Sequence, residues 1–147
     1  MKPYLLIALL IITASCGYEE IPCHDGYLLV KLDNFTEEEL DSVILETYTG
    51  KDFTTKIDRS LMAIQNNDMH HYGTNAFTLT FVNPGVTYWF SDIQYEGKKS
   101  ERRKKVFDMG GSYRPTPCFN NVATVTLDGT KLFFDTRIIA SVTLDRK

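Results

Sequence analysis

The three cysteines, Cys16, Cys23 and Cys118, carry the most reactive side chains of the sequence. A cysteine thiol can be acylated, can be oxidised to a disulfide or can bind a metal ion. No two of these cysteines have the short spacing of a zinc site, so we expect no metal there. Because three is an odd number, a disulfide between two of them leaves the third for another role.

The segment ahead of Cys16 is short and apolar. Residues 4–12 are mostly aliphatic, Lys2 precedes them, and the small residues Thr13, Ala14 and Ser15 follow. Nine residues are too few to span a membrane, which takes about 20, but they fit the core of a signal peptide. The positions before Cys16 resemble a bacterial lipobox: Ala14 and Ser15 match the pattern, whereas Thr13 stands where leucine is usual.

The resemblance covers residues 1–16 and implies a bacterial lipoprotein. Residues 1–15 would be removed, and Cys16 would carry acyl chains such as palmitate and anchor the chain in the outer membrane, on its surface or periplasmic face. Residues 16–25 would then form a lipidated tether and residues 26–147 one domain, similar to small β-sandwich lipoproteins of unknown function. Ordinary secretion without lipid and an uncleaved anchor remain as alternatives.

Cys23 and Cys118 form an even pair once Cys16 is acylated or leaves with the leader. In an oxidising compartment we expect these two thiols to be bridged. The bridge would close a loop of 95 positions, which contributes about 4–5 kcal/mol on the loop-entropy model. The alternative is two buried free thiols.

Alternating apolar residues and regularly spaced turns predict an all-β fold. Clear alternation occurs over residues 28–33, 76–82 and 138–144, and Asp128-Gly129 is a strong hairpin signal. We expect seven to nine strands in an antiparallel β-sandwich with an immunoglobulin-like or transthyretin-like Greek key, or else a small barrel. Thr36 and Glu39 form a capping box, which predicts one helical turn near residues 36–41.

The charge is unevenly distributed. After residue 15 the chain has fifteen basic and nineteen acidic residues, which argues against binding nucleic acid. Residues 98–105 nevertheless contain one acid and six basic residues: Lys98, Lys99, Arg102, Arg103, Lys104 and Lys105. This segment is either a contact for an anionic partner or a solvated hairpin tip.

Aromatic and histidine side chains provide further candidate sites. The run Tyr88, Trp89 and Phe90, with Tyr95, is a sugar-stacking platform or part of the core, and we expect Trp89 to anchor the core. His70 and His71 lie near Asp68 in residues 65–73, which we predict to be a polar loop. A weak metal site there is the alternative.

No catalytic motif is present: the sequence has no Gly-x-Ser-x-Gly and no His-Glu-x-x-His. We therefore expect a protein that is not an enzyme and needs no cofactor. The sequence favours a non-catalytic binding or accessory module of the cell envelope that contacts a glycan or an envelope protein. A periplasmic inhibitor or immunity-type protein is the second hypothesis. A hydrolase is the third, and it would need two carboxylates held together in a cleft.

Overall fold

The computed structural model describes residues 18–104 and 118–146. These residues form an all-β structure with twelve strands and one helix of four residues, α1 (Glu37–Leu40). The strands are β1 (Tyr18–Pro22), β2 (His24–Asp25), β3 (Leu28–Asp33), β4 (Val43–Tyr48), β5 (Lys56–Met62), β6 (Asp68–His71), β7 (Ala76–Phe81), β8 (Val86–Gly97), β9 (Ser100–Lys104), β10 (Phe119–Leu127), β11 (Thr130–Phe133) and β12 (Ala140–Asp145). The all-β prediction is confirmed, although the strands are more numerous than the seven to nine expected.

The chain divides into two compact units. In the described part, the small unit comprises residues 18–24, 98–104 and 118–119, and the large unit comprises residues 25–97 and 120–146. The small unit is built on an antiparallel pair of strands, β1 and β9. Half of the predicted tether, Tyr18–Pro22, is therefore paired in a sheet.

The large unit contains two sheets. The larger one has seven strands in the order β11-β10-β8-β7-β4-β5, with β2 also paired to β10. The smaller one has the order β12-β3-β6. In it β3 and β12 run parallel, which departs from the antiparallel arrangement that we predicted. A parallel pair needs a long connection, and here most of the chain lies between the two strands.

Both sheets contribute to one core. In β3, Leu28, Val30 and Leu32 are fully buried, and in the facing sheet Phe77, Leu79 and Phe81 of β7 are fully buried as well. Period-two alternation places one set of side chains on one side of each strand, so the predicted apolar sets point into the core. The Asp128-Gly129 hairpin is also confirmed, with both residues at positive φ.

Two local predictions are wrong. Residues 65–73 are not wholly a loop, because β6 lies within them and buries Met69 and His71 while pairing with β3. The last strand begins at Ala140, and Ile138 is 63 % exposed in the preceding turn. Polar residues made the pattern over residues 65–73 ambiguous, whereas the clear alternation that begins at Ile138 extends two residues beyond the strand pairing, which starts at Ala140.

The predicted helical turn is present and tied to the C-terminal end of the described chain. Thr36 and Glu39 form the capping box: the Glu39 amide donates to Thr36 Oγ1 and the Thr36 amide donates to Glu39 Oε2. Glu39 is only 3 % exposed, and its Oε1 lies 2.8 Å from Nη2 of Arg146. The same carboxylate thus caps the helix and holds residue 146.

Candidate binding face on the seven-stranded sheet

The basic segment forms part of a strand instead of a hairpin tip. β9 is aligned with β1 so that Arg103 lies opposite Glu19 and Arg102 opposite Glu20. Lys98 forms an ion pair with Glu101. The side chains of Arg102, Arg103 and Lys104, and the whole of Lys105, lie outside the described residues, so their contact with an anionic partner stays a prediction.

The predicted disulfide is present in the small unit. Cys23 and Cys118 are bonded, with their Cα atoms 4.8 Å apart. Backbone hydrogen bonds flank the bridge: the Cys23 amide donates to the carbonyl of Lys99, and the His24 amide donates to the carbonyl of Cys118, both at 3.0 Å. The bridge and these hydrogen bonds together join three segments that are distant in sequence. Cys16, the predicted acylation site, lies outside the described residues.

Trp89 does not anchor the core, contrary to our prediction. It is 44 % exposed, whereas its neighbours Tyr88 and Phe90 are buried. The alternation of β8 directs Tyr88 and Phe90 into the core, so Trp89 must lie on the opposite side of the sheet. A bulge at Asp92, which has a φ of 48°, then shifts the alternation, and Tyr95 packs against the core.

The strand register places Trp89 in a row of side chains that crosses four strands. Directly paired residues on neighbouring strands point to the same side of a sheet. Two adjacent rows on this side are Arg59, Glu46, Thr78 and Trp89, followed by Leu61, Ile44, Thr80 and Thr87. Val82 lies beside the second row. We call these nine residues the Trp89 face.

An aromatic cluster holds Trp89 in place. The ring of Phe53 lies edge to face with Trp89, with centroids 4.8 Å apart, and makes a similar contact with Tyr48 at 5.3 Å. The Trp89 amide also donates to Asp128 Oδ1, and the Asp128 amide donates to the Trp89 carbonyl, both at 2.9 Å. The tryptophan is thus half exposed and fixed at both its side chain and its backbone.

A charged cluster lies at the other end of the same row. Glu46 accepts from Lys56 and lies 3.2 Å from Nε of Arg59, while the Tyr48 hydroxyl donates to its Oε2 at 2.7 Å. The hydrogen bond from Lys56, and then that from Tyr48, lowers the pKa of Glu46, and the same carboxylate raises the pKa of Tyr48. Glu46 is therefore ionised at neutral pH, which suits ion pairing better than proton donation.

Aliphatic side chains are exposed next to this charged cluster. Leu61 is 69 % exposed and Val82 is 53 % exposed. Together with Ile44 and Arg59 they line a shallow depression of about 400 Å³. Among the described strands, β5 has a neighbour on one side only, β4. The depression therefore lies next to a sheet edge that can accept backbone hydrogen bonds.

The predicted polar loop around the histidines gives no metal site in the described chain. Over residues 18–104 and 118–146, no group of three or more histidine, cysteine or acidic side chains could hold a metal ion. His70 is exposed, while His71 is buried and stacks on Phe77 at 4.0 Å. Burial lowers the pKa of His71 to about 4, against a weaker opposing effect of its hydrogen bond with the Asn75 backbone. His71 is thus a neutral core residue.

Comparison with protein-family models, with curated proteins and with solved structures finds no match to this chain. In the part of the chain that the structure describes, no helix is both long and apolar enough to cross a membrane.

Proposed function

We propose that the protein is a non-catalytic binding module of the cell envelope, and that the Trp89 face docks a protein partner. The observation that carries the proposal is that exposed Leu61 and Val82 line one depression with Ile44 and Arg59, on the side of the sheet that also displays Trp89. A contiguous apolar patch bordered by polar side chains is typical of a protein-interaction site.

The residue types of the face favour a protein over a sugar as its partner. Tryptophan and arginine are the commonest energetic anchors of protein interfaces, and aliphatic side chains surround such anchors and exclude water. Leu61 and Val82 offer no hydrogen bonds to a glycan's hydroxyl groups. The free edge of β5 could add a strand of the partner, because an extended segment gains backbone hydrogen bonds there.

The electrostatics of the face support binding over catalysis. Glu46 is held ionised between two cations, and its pKa is lowered, so it is poorly suited to act as a general acid. One charged carboxylate between Lys56 and Arg59 leaves a net positive charge at this end of the face. An acidic side chain of the partner would be matched to that charge.

We also propose a specific fold for the large unit. We take the large unit to be a β-sandwich, immunoglobulin-like or transthyretin-like, because its seven-stranded and three-stranded sheets share one buried core. The hydroxyl of Tyr88 in β8 donates to the carbonyl of Asp145 in β12 at 2.6 Å, which links the two sheets. In this sandwich the parallel pair of β3 and β12 replaces one of the antiparallel pairs of the predicted Greek key.

We further propose that the protein is anchored in the cell envelope by a lipid. Acylation of Cys16 would tether the domain to the outer membrane by at least two acyl chains, which suffice for stable anchoring. Radiolabelled palmitate should enter the wild-type protein, while Cys16→Ala should remain unlabelled. Labelling that persists in Cys16→Ala would rule out this anchor.

The second function is a periplasmic inhibitor or immunity-type protein. A rigid exposed patch with tryptophan and arginine anchors suits the blocking of an enzyme as well as the docking of an envelope protein. The two differ in where the face is displayed. Protease should remove the domain of a surface module on intact cells, whereas an inhibitor in the periplasm is attacked only after lysis.

The experiment that tests the proposed function is capture from solubilised envelopes with three baits. They are the mature wild-type protein, Leu61→Asp and, as a matched control, Ile138→Asp, which places the same charge at a comparably exposed site. We expect wild type and Ile138→Asp to retain a specific protein that Leu61→Asp loses. Equal retention by all three baits would refute docking through this face.

A further inference from the structure

The large unit has a second group of exposed aromatic side chains, outside the Trp89 face. The rings of Tyr27 and His70 are stacked with their centroids 4.3 Å apart, and Tyr72 lies tilted against Tyr27 at 5.6 Å. Tyr72 is 63 % exposed, His70 is exposed and Tyr27 is half-buried. We call these three residues the tyrosine patch. It is formed where β3 begins and β6 ends, in the three-stranded sheet.

Backbone and side-chain hydrogen bonds fix the surroundings of the patch. The Gly73 amide, directly after Tyr72, donates to the hydroxyl of Tyr95 at 3.0 Å. Gly73 has a φ of 87°, a conformation that glycine adopts without strain. Burial raises the pKa of Tyr95, and the nearby charges of Asp25 and Tyr72 act in the same direction. Tyr95 therefore interacts with both Asp25 and Tyr72.

A carboxylate is held in place beside the patch. Asp25 precedes Tyr27 by two residues, and its Oδ1 accepts from Nδ2 of Asn120 at 3.1 Å. The Gly26 amide donates to the Asn120 carbonyl at 2.8 Å, which fixes this short segment against β10. A Cβ at Gly26 would lie 2.1 Å from Oδ1 of Asn121, so a larger residue there would displace the Asn121 side chain. Asp25 is exposed, so its carboxylate can also meet a ligand's hydroxyl group.

These side chains together match the chemistry of a sugar ring. The face of an aromatic ring carries partial negative charge and attracts the positively polarised C–H groups on one side of a pyranose. The tyrosine hydroxyls and the Asp25 carboxylate can bond the hydroxyl groups at the ring's rim. Asp25 precedes Tyr27 by two residues, and Asp68 precedes His70 by two residues and lies opposite Lys31 in the strand register. An anionic ligand would meet repulsion from Asp25.

We propose that the tyrosine patch is a second binding site, which takes a neutral pyranose unit of an oligosaccharide. The inference is independent of the Trp89 face, because it depends on other residues in the other sheet. A module that docks a protein through one face and holds a glycan through another could bring the two together at the envelope.

Titration of the purified mature protein with defined oligosaccharides tests this inference. The neutral probes are malto-, cello-, manno- and chito-oligosaccharides, and oligogalacturonate is the anionic control. Saturation-transfer NMR detects binding and isothermal titration gives Kd. We expect one neutral class to bind and oligogalacturonate not to bind. Failure of every neutral probe, or equal binding of the anionic one, would overturn the proposal.

Variants locate the site. Tyr72→Ala should weaken binding by about tenfold, as expected for one lost aromatic contact, and Tyr27→Ala should do the same. Two control variants should bind the sugar like wild type. Phe133→Ala removes an aromatic ring that is 75 % exposed elsewhere, and Trp89→Ala removes the indole of the other face. Because Tyr72 is largely exposed, its variant should melt like wild type. Undiminished binding by Tyr72→Ala, or loss confined to Trp89→Ala, would place the sugar elsewhere and refute the patch.

Discussion

Phe53 and Trp89 pack edge to face on the outer side of the seven-stranded sheet, with their ring centroids 4.8 Å apart and their planes at 85°. Phe53 comes from the turn between β4 and β5, so this one contact fastens that turn to β8. It keeps the tryptophan in a defined orientation while leaving it half exposed. A fixed aromatic side chain loses little conformational entropy when a partner binds.

The chain contains a single tryptophan, so tryptophan fluorescence reports on the surroundings of Trp89, which include Phe53. Replacing Phe53 with alanine removes the ring that packs on Trp89, and we expect the emission of the folded protein to shift to longer wavelength as the indole gains water. Phe133→Ala, far from Trp89 in sequence and in another strand, should leave the spectrum unchanged. An unshifted spectrum in Phe53→Ala would mean that Trp89 does not depend on Phe53.

The disulfide should stabilise the fold strongly. Cys23 and Cys118 are 95 positions apart, and on the loop-entropy model a bridge of this span contributes about 4–5 kcal/mol to the free energy of unfolding. Urea denaturation of Cys23→Ser/Cys118→Ser should therefore show a loss of roughly 2–5 kcal/mol, since native bridges often contribute less than the model gives. Wild type with reductant should behave like the variant. Unchanged stability in both would contradict a structural role for the bridge.

The stability should fall in mildly acidic solution because of His71. Its folded-state pKa is about 4, below the ordinary value of 6.5, so between these two values the unfolded chain binds a proton that the folded chain does not. Stability therefore decreases as the pH falls from about 6.5 to about 4, by up to about 3 kcal/mol. The physical reason is that His71 is buried against Phe77, and its Nε2 has no hydrogen-bond partner.

Two variants isolate the effect of His71. Urea midpoints measured across this pH range should depend less on pH in His71→Leu than in wild type. His70→Leu, in which the exposed neighbour is replaced, should keep the wild-type dependence. An equal loss of the dependence in both variants would assign it to another group.

Glu39 should matter more than its exposed neighbours. Its carboxylate accepts from the Thr36 amide and pairs with Arg146, so Glu39→Ala leaves both groups without their partner. We expect a loss of about 1–2 kcal/mol in the free energy of unfolding. Glu39→Gln retains an oxygen for the Thr36 amide and should lose less. Glu38→Ala, exposed in the same turn, serves as the control, and an equal effect there would refute the capping role.

The sequence predicts those parts of this fold that depend on local patterns. The alternation of Leu28, Val30 and Leu32 identifies the buried side of β3, and the Asp128-Gly129 pair identifies a hairpin. The capping box of Thr36 and Glu39 is likewise local. The disulfide was predicted from the number of cysteines, two of which remain once Cys16 is acylated or removed. Each of these signals lies within a few residues or follows from composition.

The parts that were missed depend on which strands become neighbours. Alternation shows which side of β3 is buried, but it does not show that β12 lies alongside it in parallel. The polar residues around Met69 hid the alternation of β6, which only its pairing with β3 reveals. Trp89 was assigned to the core by its size, whereas the alternation of side chains along β8 directs Tyr88 and Phe90 inward instead.

The two proposed binding sites could not be predicted for the same reason. Arg59, Glu46 and Trp89 come from three strands that are brought into one row by the register. Tyr27 and His70 are far apart in sequence and meet only because β6 pairs with β3. The sequence showed the aromatic residues and the acidic residues, but not their grouping.

Site-specific photo-crosslinking in intact cells is the most direct test of the proposed docking face. A benzophenone side chain is placed at Leu61 or at Val82, and at the comparably exposed Ile138 as a control, in the full-length protein. The account predicts that positions 61 and 82 capture the same protein and that position 138 does not. Adducts that are absent from positions 61 and 82, or equal at all three positions, would contradict it.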